Sequence, residues 1–392
     1  MNAKFDVVIV GGAAVGSATA YFLAAQPDFN GSVLVIEKDF SYEKCATTLS
    51  AASIRHQFST PGNIRMSQFG TEFIRTIGST LEVDGAAPDV GFREAGYLFL
   101  ATDAGHAVLQ SNHRVQRELG ADVVLLSPSE MQQRFPWLDT ADLCAGSLGL
   151  SGEGWLDAYG LMRAFRRKAI ALGVTYREAQ VASLTRAGGR VTEVVLADGS
   201  RIGCGHVVNA AGAGARALAQ TAGIALPVEA RKRCVFHFLS PGSLPACPLV
   251  IDPGGAWFRP EGSGFLCGIS PPASEDPECF DFDVVHAQFD EMLWPVLAAR
   301  VPQFEALKLQ RAWAGHYDVN ILDHNVILGA HPEVANLLFA NGFSGHGLQQ
   351  SPAAGRALSE LVTSGTYRTL DLTAFSWARV LANRPLLEIN VV

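Results

Sequence analysis

The chain has 392 residues, more than one average domain, so a nucleotide-binding unit joined to a second domain or layer is the expected organisation. Apolar residues make up 48% and charged residues 17%, which suits a packed globular enzyme and excludes a disordered or fibrous chain. The formal charge of −8, with no lysine and arginine stripe interleaved with aromatics, excludes nucleic acid as a partner.

Residues 5–10 read FDVVIV, a largely β-branched run of the kind that forms a parallel strand covered on both faces. No charged leader precedes it and no apolar stretch of about 18 residues occurs, so a cytoplasmic protein without a transmembrane segment is expected. Gly11, Gly12, Ala13, Ala14, Val15 and Gly16 follow as G-x-A-x-x-G and lead into SATAYFLAAQ, a helix-forming run with an apolar stripe. Strand, turn and helix at this spacing form a dinucleotide fingerprint. Gly11 permits the tight turn, position 13 lies where backbone approaches a pyrophosphate, and Gly16 lets helix and strand pack closely. The free amides at the helix start face the anion. Ala13 stands where the middle glycine is usual, and its methyl group pushes the backbone slightly outward. The next apolar run, SVLVIEK, ends in Glu37 and Lys38. Glu37 lies 21 residues after Gly16, where a carboxylate hydrogen-bonds ribose hydroxyls and disfavours a 2′-phosphate. These features alone do not separate FAD from NAD.

Further along, residues 47–58 read TTLSAASIRHQF, with small hydroxylated residues Thr47, Thr48 and Ser50 beside Ala51 and Ala52. Such residues offer donors with little bulk to a pyrophosphate and ribityl chain. Residues 207–213, VVNAAGA, end a strand in small residues at Ala210, Ala211 and Gly212. VEARKRCVFHFL, LVIDPGGAWFRP and GFLCGIS read as strands of a mixed or antiparallel sheet, and residues 283–301 have amphipathic helical spacing. Residues 341–350, NGFSGHGLQQ, precede a helical pattern, so amides and the positive end of a helix dipole point at whatever lies in front. Seven scattered cysteines (45, 144, 204, 234, 247, 267, 279) without a CxxC pair read as buried thiols, with neither a disulfide framework nor a metal site.

In this order, TTLSAASIRHQF, VVNAAGA and NGFSGHGLQQ resemble the D-amino-acid oxidase superfamily, especially its sarcosine oxidase and glycine oxidase branch. The resemblance spans nearly the whole chain, and GFSGHG is its most specific element. It implies an α/β fold: a Rossmann-like FAD domain over residues 1–85, 150–225 and 315–392, and an α+β substrate domain over 86–149 and 226–314. It implies FAD as cofactor, with Gly342, Phe343, Ser344, Gly345, His346, Gly347, Leu348 and Gln349 around the flavin and Val181 in the cofactor set. Gly315 stands where members with covalent flavin often carry cysteine, so non-covalent FAD is expected.

For the substrate, the resemblance casts Arg55 of the IRH element as a carboxylate clamp, a task suited to a planar fork that stays charged when desolvated. His56 is a candidate beside it, and His346 is positioned to tune the flavin or orient substrate. Gln349 replaces a lysine that helps bind carboxylate in amine oxidases of the family. Trp257 and Phe258 are expected to wall the amine pocket, Arg259 to add a second carboxylate contact, and His316 and Tyr317 to approach flavin or substrate. Leu266 stands where some oxygen-using relatives have lysine, which favours a dehydrogenase. The chemistry so implied is hydride transfer from a small carboxylate-bearing primary or secondary amine, such as an N-methyl or D-amino acid, to flavin N5. No second glycine fingerprint is present, so electrons leave to oxygen, a quinone or a carrier protein. A 2-hydroxy-acid dehydrogenase and a flavoprotein with mainly a binding or assembly role remain the alternatives.

Overall fold

Two eight-stranded sheets with separate hydrophobic cores organise the chain in the computed structural model, which describes residues 3–389. The ends of the expected FAD domain, residues 1–2 and 390–392, lie outside the described residues. In the first sheet Lys4–Val10 is central and parallel to Val33–Glu37 on one side and Arg201–Asn209 on the other. Thr175–Glu178 and Val334–Asn341 extend it in parallel, while Ile327–His331 closes one edge antiparallel. The ribbon Val181–Ala187 and Arg190–Leu196 pairs antiparallel with Arg201–Asn209. Val7, Val8 and Ile9 are fully buried, as a strand covered on both faces requires. Because the central strands run parallel, Val10, Glu37, Asn209 and Asn341 all finish on one edge, where sheets of this type bind ligands.

Helices Ala14–Ala24, Ala158–Ala171 and Gly347–Ser364 share one core on the first sheet. Gly355 lets two of them approach closely, since a Cβ there would lie 2.7 Å from the Ala18 carbonyl carbon.

The second sheet runs from Lys308–Asn320 through Val228–Leu239, Gly264–Gly268, Trp257–Glu261, Leu249–Ile251, Tyr97–Ala101 and Ala145–Gly149 to Val123–Leu126. It is mixed, since Leu249–Ile251 pairs parallel with Tyr97–Ala101 and the other pairs are antiparallel. One face buries Phe236, Phe238, Phe258, Phe265 and Phe304, each worth about 1.5–3 kcal/mol as a fully buried side chain.

The expected single helix over 283–301 is divided. A π-helical turn, Gln288–Leu293, precedes the α-helix Trp294–Arg300. Pro295 explains the break, because it lacks an N–H and its ring clashes with the carbonyl four residues back. The seven cysteines are free thiols, but only Cys234, Cys247 and Cys267 are buried, and the other four are half-buried. Among the described residues no helix is long and apolar enough to cross a membrane.

Candidate active site

The glycine turn at the carboxyl edge of the first sheet is built for close approach. Gly11 has φ +100°, and a Cβ there would fall 2.2 Å from the Ala210 carbonyl oxygen. A Cβ on Gly16 would lie 1.8 Å from the Gly11 oxygen. Ala13 caps the helix start without a side-chain hydrogen bond, and the Ala14 amide donates to Thr47 Oγ1 at 3.3 Å. The Glu37 carboxylate accepts from the Gly12 and Lys38 amides, both at 2.8 Å, while the Lys38 side chain is exposed. Val15 is half-buried beside the turn. The Ala179 amide donates to the Glu37 carbonyl at 2.9 Å, which brings half-buried Val181, two residues on, to this end of the sheet. A cradle that a Cβ would fill, amides at a helix start and a carboxylate beside them fit the pyrophosphate and ribose of FAD.

The 47–52 loop runs on from this turn. Ser50 Oγ accepts the Ala52 amide at 2.8 Å, and Ala52 itself takes φ +59°. Thr48 Oγ1 is 3.4 Å from Cys45 Sγ. The Ala51 carbonyl accepts from Arg259 Nε at 3.0 Å. Ala46, Leu49, Ser50 and Ala51 then form one wall of a cleft completed by Arg233, Trp257, Gly315, His316 and Tyr317 of the second sheet.

Opposite this loop, the 342–347 turn precedes the Gly347–Ser364 helix, with Gly342, Ser344 and Gly345 all at positive φ. Phe343 packs its ring into the first core, and Leu348 and Gln349 lie in the first buried turn of the helix. Asp318 holds the turn in place: its Oδ2 accepts the Gly342 amide at 2.7 Å and its carbonyl the Ser344 amide at 3.0 Å. Burial raises the Asp318 carboxyl to about 6, against the pull of the Gly342 and Phe343 amides. Tyr317 covers the same turn, since a Cβ on Gly345 would lie 2.5 Å from its Cε2. Burial raises the Tyr317 phenol as well.

Arg55 is buried beside this turn. Its amide donates to Gln349 Oε1 at 2.8 Å, and its Nη2 lies 3.1 Å from His346 Nε2. The guanidinium carbon sits 4.4 Å from the Phe58 ring centre and 5.2 Å from that of Phe99. The His346 ring meets Phe58 edge-on at 5.0 Å. Burial and the adjacent Arg55 charge hold His346 well below the ordinary histidine range, so it is neutral. The structure therefore brings Arg55, His346, Gln349 and Tyr317 together around one place.

Other candidates are turned elsewhere. His56 points away from the cleft: its Nε2 is 2.9 Å from Thr71 Oγ1, and its Cε1 is 2.5 Å from where a Gly152 Cβ would stand. Extended residues alternate sides after the Ser53–Ile54 strand, so positions 55 and 56 cannot share a face. Burial pushes the His56 imidazole down to about 4. The same alternation corrects Phe258, which packs with Trp137, Phe265 and Phe304 in the second core, while Trp257 faces the cleft. Arg259 braces rather than clamps, bonding the Ala51 and Pro260 carbonyls and Glu261 while stacking 5.3 Å from Trp155. Gln349 turns its oxygen to the Arg55 amide and to Ser67, which gives it a positioning task.

Leu266 pairs directly across from Arg259, on the same face of the sheet. Gly315 lines the cleft, with Leu49 Cβ 3.0 Å from where its own Cβ would be. His316 is packed edge-on at 4.4 Å against Phe282. Cys234, on the neighbouring strand opposite Ala314, also lines the cleft. Its sulfur takes the Val285 amide and belongs to the second core.

Three acidic residues escaped the sequence reading. Asp318 ends RAWAGHYD, where a carboxylate inside an apolar strand was the available signal. Glu153 is fully buried and accepts the His56 and Gln57 amides at 2.6 and 3.0 Å, and its place between two glycines was the signal. Glu388 accepts the Ser59 and Thr60 amides from 328 residues or more away, and no local pattern marks it.

Known proteins share this fold and sequence pattern. Residues 6–361 match the DAO family, described as FAD dependent oxidoreductase. The FAD-dependent oxidoreductase domain-containing protein 1 of Xenopus laevis is 43% identical, over 99% of this chain and 85% of that protein. Among solved structures, L-proline dehydrogenase from P. horikoshii superposes with a TM-score of 0.86 at 26% identity, covering 98% of this chain and all of that one. Glycine oxidase from Geobacillus kaustophilus gives 0.81 at 25% identity, with 96% and 98% covered. The chain belongs to the DAO family of FAD-dependent oxidoreductases.

Proposed function

We propose that the protein oxidises a small primary or secondary amine bearing a carboxylate, such as an N-methyl or D-amino acid, using non-covalently held FAD. The observation that carries this reading is Arg55: a guanidinium buried among the Phe58 and Phe99 rings beside the 342–349 turn, with a neutral histidine 3.1 Å from its Nη2. A guanidinium stays charged when desolvated, and its planar fork can hold both carboxylate oxygens. L-proline dehydrogenase and glycine oxidase, both named for amino acids, support the same substrate class.

Gly11 to Gly16, Glu37 and the 47–52 loop would hold the nucleotide and ribityl portions of FAD, and the 342–349 turn its flavin. Bound FAD supplies the hydride acceptor. Arg55 fixes the carboxylate, so the α or N-methyl carbon is presented at one angle. Phe58, Phe99 and Trp257 keep water from the substrate, and desolvation favours the neutral amine. The Gly347–Ser364 helix start directs partial positive charge at the turn where negative charge develops. No side chain is required to remove a proton from carbon.

Leu266, standing where some oxygen-using relatives have lysine, supports a dehydrogenase, since it carries no charge and the neighbouring Arg259 is engaged by the Ala51 and Pro260 carbonyls and Glu261. An anaerobic screen of N-methyl, D- and L-amino acids for loss of the flavin band near 450 nm tests the proposal. Bleaching by 2-hydroxy acids with no response to amines would replace it with the hydroxy-acid reading, and no bleaching by either class would leave a binding role. Turnover much faster with an artificial acceptor than with oxygen is expected of a dehydrogenase, whereas comparable rates mark an oxidase.

A further inference from the structure

Residues 55–60 carry the chain from the Arg55 clamp to the start of the Pro61–Arg75 helix, and carboxylates from distant parts of the chain hold their amides. Glu153 takes His56 and Gln57, while Glu388 takes Ser59 and, at 3.1 Å, Thr60. Phe58 lies between these two anchors, and its ring carries the Arg55 guanidinium at 4.4 Å and meets His346 at 5.0 Å.

Glu388 reaches the other side of the clamp as well. Its Oε2 accepts from Asn63 Nδ2 at 3.1 Å, and Asn63 Oδ1 accepts from Gln350 Nε2 at 3.1 Å. Gln350 neighbours Gln349, whose oxygen holds the Arg55 amide. Asn63 and Gln350 are both buried, so the network is shielded from water. The flanking Leu387 and Ile389 are 65% and 64% exposed, whereas Glu388 is 8% exposed. The Glu388 carboxylate therefore anchors this segment together with Asp323 and Asn325 on the Leu386 backbone and Ser59 Oγ on the Ile389 amide.

Its placement is physically favourable. Thr60 caps the Pro61–Arg75 helix without a side-chain hydrogen bond, so a carboxylate at that positive end meets free amides and the helix dipole. The charge of Glu388 also favours the cationic form of Arg55 against the cost of its burial.

We propose that Glu388 is a positioning residue of the carboxylate clamp: by locking Ser59 and Thr60 it fixes the Phe58 ring on which Arg55 rests. The 386–389 segment is thereby part of the substrate site. This inference rests on the reading of Arg55 as the clamp.

The test uses the FAD-loaded protein and propionate as a probe carboxylate, with binding read from perturbation of the flavin spectrum. Glu388→Ala should weaken propionate roughly tenfold, the scale of one lost charge-assisted interaction. Glu388→Gln, which keeps an acceptor oxygen, should restore most of the affinity, and both variants should bind FAD as the parent does. If Arg55→Ala loses propionate while Glu388→Ala binds it normally, the positioning role is wrong and the clamp stands. If Arg55→Ala also binds normally, the clamp falls and takes this inference with it. An equal loss of propionate and FAD affinity in Glu388→Ala would mark a general structural role and overturn the proposal. Should Glu388→Ala not fold, hydrogen exchange on the parent decides. Propionate should protect residues 55–60 and 386–389 together, and protection that leaves 386–389 unchanged overturns the proposal.

Discussion

Arg55 Nη2 and His346 Nε2 stand 3.1 Å apart in a buried site, and this pair dictates a protonation state. A guanidinium only donates, so His346 Nε2 presents its lone pair and the ring proton resides on Nδ1. Burial and the Arg55 charge exclude the doubly protonated ring. A neutral acceptor orients the guanidinium without adding a charge of its own.

Removing that acceptor should therefore misorient the clamp without discharging it. His346→Leu is expected to raise KM for a carboxylate-bearing amine about tenfold, a cost of ~1.4 kcal/mol, with a smaller change in kcat. Steady-state kinetics check this, and an unchanged KM would show that Arg55 keeps its orientation without His346.

Arg55→Ala should weaken substrate binding by about two orders of magnitude while FAD remains bound, the cost of a charge-assisted pair being on the order of 2–3 kcal/mol. The contrast between a lost substrate response and an intact flavin spectrum is the measurement. Unaltered kinetics would reject the clamp.

At the nucleotide turn the effect should be the reverse. Gly11→Ala would place a methyl carbon 2.2 Å from the Ala210 carbonyl oxygen at φ +100°, so two strand ends that frame the cofactor must move apart. Purified variant is expected to be colourless and to take up added FAD at least a hundredfold more weakly, as fluorescence titration of free FAD would reveal.

Glu153 gives a signed pH dependence. Burial raises its carboxyl from 4.5 to about 7, so between those values the folded chain holds a proton that the unfolded chain has released. Its contribution is complete below about 4.5 and is lost as pH rises to 7. His56, pushed down to about 4, acts oppositely, with stability lost as pH falls from 6.5. Glu153→Gln removes the first effect only. Its stability relative to the parent should thus improve on going from pH 5 to pH 8, by on the order of 2–3 kcal/mol. Denaturant unfolding at the two pH values decides, and a constant difference would show that Glu153 is not protonated when folded.

Much of this protein is legible in local sequence because steric rules act over a few residues. Gly11 and Gly16 announce the turn, since the space a Cβ would need is already filled by backbone. The apolar runs around Val7–Ile9 and Val33–Ile36 announce strands covered on both faces. NGFSGHGLQQ likewise marks a turn before a helix, where Gly342 and Gly345 adopt positive φ.

Direction and distant partnership belong to the tertiary structure. Sequence order sets Arg55 beside His56 and Trp257 beside Phe258, but alternation of sides sends Arg55 to His346 and Trp257 to the cleft, and turns His56 and Phe258 into packing elsewhere. Arg259 and Gln349 carry suitable donors, yet folding gives the first the Ala51 carbonyl and turns the second to the Arg55 amide. Asp318, Glu153 and Glu388 acquire meaning only when the backbone amides they accept are assembled around them. A hydrogen bond between residues 59 and 388 leaves no periodicity to read, because its partners become neighbours only after both sheets and the helices between them have packed.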